Sequence, residues 1–195
     1  MNNCLVLSVD YRMGPEHRFP AAVEDAHAAL LWVGKHVEEY GGDATKIIVC
    51  GDSAGGNLAA GLAISFRDGV AGMLIKAQVL IYPWMDGTLS NKSVEKYGSG
   101  YLLTRSKLFW FRKNYMADET GLDNAQAWPV NATVLHNLPP ALIITAAFDP
   151  LLDDGKKYAG KLLQAGNEVV YKEYRGLTHG FFNMPFVANE AMQEI

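Results

Sequence analysis

The apolar positions of this chain fall into short continuous runs separated by longer stretches of helical period. Leu5-Val6-Leu7-Ser8-Val9 is nearly all apolar, the pattern of a strand covered on both faces. Val23, Ala26, Leu30, Val33, Val37 and Tyr40 then recur at alternating steps of three and four, one stripe of a helix that Gly41-Gly42 ends. Ile47-Ile48-Val49-Cys50 predicts a second buried strand, which runs straight into Gly51-Asp52-Ser53-Ala54-Gly55-Gly56. The helix expected next carries Leu58, Leu62 and Phe66 on one face. Residues 76–82 predict a third strand closed by Pro83, residues 85–100 read as a polar loop, and residues 104–116 as a helix. Residues 141–147, after Pro139-Pro140, predict a fourth strand and residues 151–164 a helix. Residues 168–174 alternate like a fifth strand nearer the sheet edge, and a last helix is expected from about Asn189.

Strands that alternate with helices predict an α/β fold, a mostly parallel sheet with helices on both faces. No repeat, linker or low-complexity tract divides the chain, so a single domain over residues 1–195 is expected. Such sheets carry their sites at the carboxyl ends of the strands.

Charge and cysteine usage narrow the function classes. A net charge of -4 offers no basic excess for nucleic acid or an anionic membrane. No apolar run approaches the roughly 20 residues of a membrane span, and Met1-Asn2-Asn3-Cys4 lacks the pattern of a signal peptide, so a cytoplasmic location is expected. Cys4 and Cys50 sit in apolar runs and are expected to be buried free thiols. Asn91-Lys92-Ser93 and Asn131-Ala132-Thr133 match the glycosylation acceptor by chance on this reading.

Candidate chemistry centres on Gly51-Asp52-Ser53-Ala54-Gly55, a Gly-x-Ser-x-Gly motif with a strand predicted before it and a helix after it. A turn that tight forces the serine into a strained conformation above the sheet. Gly51 and Gly55 are expected to lack side chains because neighbouring backbone passes close by. The Ala54 amide, at the helix start, points where a carbonyl oxygen would turn negative. A serine needs a base. His179 follows the fifth strand by the short segment Arg175-Gly176-Leu177-Thr178, whereas His27 and His36 lie within the first helix and His17 and His136 in loops. The imidazole needs an acid. Asp149 follows the fourth strand, which gives the chain order Ser, Asp, His expected on this fold. Asp86, just past the third strand, is the rival. Asp153 and Asp154 are read as decorating the first turn of the next helix. Trp84, Tyr101 and Leu102 are the named candidates for the substrate side, among aromatics that also fit plain core packing.

At this point the sequence resembles the hormone-sensitive-lipase-like esterases, also called bacterial family IV lipases, of the α/β-hydrolase superfamily. Four segments carry the likeness in order. They are the signature running from Val9-Asp10-Tyr11-Arg12 through Gly14-Pro15-Glu16-His17 to Pro20-Ala21-Ala22, the elbow Gly51-Asp52-Ser53-Ala54-Gly55-Gly56-Asn57-Leu58-Ala59, the acid segment from Leu138-Pro139-Pro140 to Asp149-Pro150-Leu151, and His179-Gly180-Phe181. The resemblance implies hydrolysis of carboxylic esters of short to medium acyl chain, with no cofactor and no metal. An amidase or deacetylase on the same residues, a non-catalytic small-molecule-binding relative and an inactive fragment are the alternatives.

The likeness fails at the front. The family's His-Gly-Gly-Gly segment, whose amides complete the oxyanion hole, its cap helices and its first three strands have no counterpart in these residues. The expectation is therefore a truncated chain with weak turnover and a gap beside the strand at 47–50. Unpaired edges are costly when buried and sticky when exposed. Rearrangement, a poorly folded chain or pairing with another chain, including a homo-oligomer, would follow.

Overall fold

A computed structural model describes residues 4–69 and 73–184. Its frame is a sheet of four parallel strands in sequence order, β1 (Ile47–Asp52), β2 (Ile75–Ile81), β3 (Ala141–Phe148) and β4 (Val169–Thr178). Parallel pairing needs a crossover between successive strands. These crossovers hold α2 (Ala54–Ser65) after β1, α3 (Lys92–Tyr97) and α4 (Arg105–Tyr115) after β2, and α5 (Leu152–Gln164) after β3, while α1 (Ala21–His36) precedes the sheet.

One face of the sheet buries Val49, Leu80, Ala141 and Ile143 against Ala59 and Ala60 of α2 and Tyr158, Ala159 and Leu162 of α5. The α1 helix packs outside α2 through Ala22, Ala26 and Leu58. On the opposite face Ile81, Ile144 and Ala146 gather with Tyr82 and Phe181. Burying such apolar surface is the main drive to fold. A second cluster, Leu89, Val94, Leu103, Leu108, Trp84 and Trp128, packs α3 and α4 above the carboxyl ends of the strands.

Several sequence expectations change in the folded chain. Residues 5–9 form no strand among the described residues. Leu5, Val6 and Leu7 are each more than half exposed, and β1 stands at the sheet edge. An apolar run becomes a strand only where a neighbour accepts its ladder bonds, and no described segment pairs with this one. Cys4 and Cys50 are free but exposed rather than buried, for the same reason, since Cys50 lies on the uncovered side of an edge strand. The loop expected at 85–100 contains α3. The segment before His179, expected as a loop, continues β4 to Thr178. The helix expected near Asn189 lies outside the described residues. The Asn91 and Asn131 amides donate to Asp154 and to the Leu122 carbonyl, so both side chains already have internal partners.

Candidate active site

The site forms where the four strands end together. Asp52 pairs with Ile81, Ile81 with Ile144, and Phe148 with Thr178. The next residues along the chain are Ser53, Tyr82, Asp149 and His179, so strand register alone delivers all four to one rim. A register slip between Ala146 and Phe148 carries β3 and β4 onward as an irregular pair and brings Asp149 level with His179.

Ser53 has φ 54° and ψ -113°, outside the ordinary regions for a non-glycine residue. It is held there by its own N–H donating to the Ile81 carbonyl at 2.9 Å and its carbonyl accepting from Trp84 N–H at 3.2 Å. A Cβ at Gly51 would collide with the Gly55 carbonyl group, which is why the strand can turn so sharply there. Gly55 itself faces open space. The second crowded glycine is Gly56, where a Cβ would meet Pro83 at 2.9 Å. Ala54 opens α2, so its N–H lies in the first turn, where no helical carbonyl accepts it.

His179 Nε2 lies 3.0 Å from Ser53 Oγ, and His179 Nδ1 lies 2.8 Å from Asp149 Oδ2. Asp149 is fully buried, and its other oxygen accepts the Leu151 N–H at 2.8 Å. The imidazole side chain is 12 % exposed, whereas that of Asp149 is fully covered. The three residues expected to act together form one hydrogen-bonded line.

Asp86 does not join that line. Its carboxylate accepts from Lys157 at 2.8 Å and from the Thr88 N–H and hydroxyl. Burial opposes ionisation there, but the Lys157 and Thr88 donors outweigh it and hold the carboxyl below its ordinary range. Asp153 and Asp154 have more specific tasks than a helix dipole would give them. Asp154 is buried and accepts the N–H groups of Met85 and Asp86 and the Asn91 amide, while Asp153 accepts the Ser93 N–H at the start of α3. Ser93 in turn donates its hydroxyl to the Pro150 carbonyl at 2.6 Å. The pair thus ties the segment after β2 to the segment that holds Asp149. Nothing in the sequence distinguishes these carboxylates from ordinary first-turn acids, because their partners are some 60 residues away.

Trp84 is not on the substrate side. It is buried, donates its indole N–H to the Asp86 carbonyl at 3.0 Å and packs against Trp128. Its aromatic surface fills the second core instead. Tyr101 stacks on Phe148 with ring centroids 5.3 Å apart, and Tyr97 meets both rings edge-on. Leu102 is half exposed, with Cδ2 3.5 Å from where a Cβ on Gly180 would sit. This apolar shelf borders His179. Phe148, which the sequence reading did not single out, belongs to it.

Known proteins repeat this arrangement of chain. A profile of the alpha/beta hydrolase fold matches residues 1–183. The carboxylic ester hydrolase LipN of Mycobacterium tuberculosis is 43 % identical over 92 % of this chain and 49 % of its own. The arylesterase of Saccharolobus solfataricus is 38 % identical over 93 % of this chain and 59 % of its own. The solved hyperthermophilic esterase of the archaeon Pyrobaculum calidifontis superposes with a TM-score of 0.89 at 44 % identity, covering 96 % of this chain and 62 % of that one. This chain therefore spans about half the length of LipN and about three-fifths of the other two. On the shared fold and on sequence identity over nearly its whole extent, the chain belongs to the α/β-hydrolase fold family, in its hormone-sensitive-lipase-like branch.

Proposed function

We propose that this chain carries the reacting residues of a serine carboxylesterase that hydrolyses small-molecule esters of short to medium acyl chain. The observation that supports it most directly is the line Ser53 Oγ, His179 Nε2, His179 Nδ1, Asp149 Oδ2, whose two contacts are 3.0 and 2.8 Å. In this reading Ser53 Oγ attacks the ester carbonyl carbon while its proton passes to His179 Nε2. Asp149 fixes the tautomer and balances the imidazolium. The carbonyl π pair moves onto oxygen, where the Ala54 N–H meets the negative charge. Collapse expels the alkoxide, which leaves as the alcohol with the proton from Nε2. Water, deprotonated by the same nitrogen, then releases the acid and restores Ser53.

The shelf of Tyr101, Leu102 and Phe148 is suited to an acyl chain, because it is apolar and borders the base. Neither the nucleophile nor the base calls for a metal or cofactor. Ala54 supplies one oxyanion donor, and a missing second donor lowers rate by about 10²–10³. The free thiols of Cys4 and Cys50 support a reducing cytoplasm as its place of action.

Hydrolysis of p-nitrophenyl butyrate by the 195-residue chain, against a Ser53→Ala control, tests this reading. A rate above the control, together with labelling by a fluorophosphonate that Ser53→Ala loses, is the expected result. Equal rates and no labelling would overturn it in favour of a binding protein or an inactive piece.

A further inference from the structure

Tyr82 is a fully buried residue with no evident reason, as mere filler, for the conformation it adopts. Its φ is 34°, a region that strains any residue with a Cβ. The strain is held from several directions. The Tyr82 N–H donates to the Ile144 carbonyl at 2.6 Å, the ring meets Phe181 edge-on at 5.3 Å, and the phenol donates to Asp52 Oδ2 at 3.2 Å. Twisting the chain immediately after β2 turns the ring beneath the imidazole. The two ring centroids are 4.6 Å apart with the planes inclined by 54°. That separation is within the range at which an aromatic face attracts a cation.

The hydroxyl also has a specific partner. Asp52 precedes Ser53, and it takes a second donor, the Asn183 amide, at 3.4 Å. Burial first, and the Asp52 charge second, push the Tyr82 phenol well above its ordinary value, so it remains a donor. A phenylalanine would fill the same volume without tying the ring to the nucleophile's neighbour.

We propose that Tyr82 is a positioning residue for His179: its face holds the imidazole in line between Asp149 and Ser53 and favours the imidazolium that forms when Ser53 gives up its proton. This rests on the esterase reading above. The titratable groups facing that imidazole are Asp149 at Nδ1 and Tyr82 against the ring, with Asp52 one hydrogen bond further. Because Asp149 is common to every variant below, a change can be assigned to the ring.

The experiment compares Tyr82→Leu with Tyr82→Phe by two readouts. One is the pH titration of the His179 Cε1–H resonance. The other is kcat and KM for p-nitrophenyl butyrate across pH. Leu keeps the site apolar but removes the aromatic face. Its imidazole titration is expected to move about 0.5 pH unit lower, with the acid limb of kcat/KM moving alongside. The kcat is expected to drop about tenfold while KM changes little. Phe should recover most of both losses. A folded Leu variant whose titration and kcat match those of the unsubstituted chain overturns the proposal, as does a Phe variant as impaired as Leu. Should Leu not fold, pentafluorophenylalanine at position 82 keeps the ring shape and reverses the polarity of its face. An unchanged imidazole titration there overturns the proposal equally. Absence of turnover in the unsubstituted chain would count against the esterase reading alone, since the resonance is followed without substrate.

Discussion

The Lys157 ammonium sits 2.8 Å from Asp86 Oδ2, and this ion pair decides which of two post-strand carboxylates is free to serve the base. Asp86 spends its lone pairs on Lys157 and Thr88, while Asp149 presents Oδ2 to His179. Asp149→Asn is therefore expected to lower kcat by about 10⁴-fold, because an amide favours the wrong imidazole tautomer. Asp86→Asn should leave the chemistry intact and cost about 1–2 kcal/mol in stability. Steady-state kinetics and urea unfolding of the two variants check this. A greater loss of turnover at position 86 would transfer the acid role there.

Asp154 ties the segment after β2 to α5 from a fully buried position. Burial pushes its carboxyl up to about 8 from an ordinary 3.8, against the pull of the Asp86, Asn91 and Met85 donors. Between those two values the folded chain holds a proton that the unfolded chain has lost. Stability from this group is thus complete below the lower value and declines as pH rises through the upper one. Asp154→Asn cannot ionise and should lack that decline. Urea unfolding at pH 5 and pH 8 is the measurement, and parallel pH dependence in the two proteins would contradict the expectation.

The elbow glycines should separate sharply. A Cβ at Gly51 runs into the Gly55 backbone, whereas one at Gly55 meets nothing within 4 Å. Gly51→Ala is expected not to accumulate as folded protein. Gly55→Ala, inside α2, should gain about 0.5–1 kcal/mol from the stiffer backbone. Thermal unfolding distinguishes them, and equal destabilisation at both sites would refute the geometry.

Leu102 and Trp84 should respond to different assays. Leu102→Ala removes part of the apolar shelf beside Gly180. It is expected to raise KM for p-nitrophenyl hexanoate more than for the acetate, with kcat little altered. Trp84→Phe leaves a void and frees the Asp86 carbonyl, so about 1–3 kcal/mol of stability should go while the KM ratio stays constant. An acyl-length series read beside denaturation would reveal a reversed pattern.

Much of the site was legible in the sequence because its chemistry is written locally. A strand run followed by Gly51-Asp52-Ser53-Ala54-Gly55 dictates a tight turn, and that turn sets the serine above the sheet on backbone grounds alone. Asp149 could be ranked above Asp86 because it follows its apolar run more directly, and His179 above the other histidines because it alone follows a predicted strand by a short segment while they lie in the first helix or in loops. The parallel order of the strands was implied by the helices between them.

What the sequence could not hold is anything set by partners far along the chain. Residues 5–9 have the composition of a buried strand but form no strand among the described residues, because a strand exists only through its neighbour. Trp84, apolar and aromatic near the site, was equally suited to substrate or core until Trp128 and the Asp86 carbonyl claimed it. Asp154 and Ser93 acquire their meaning across some 60 residues of chain. Tyr82 becomes more than a strand-end aromatic only because register sets it opposite Ser53 and under His179. Local periodicity and turn chemistry determined most of the elements and the candidate reacting residues. Pairing register and long-range hydrogen bonding, which depend on the whole chain at once, decided which side chains support them.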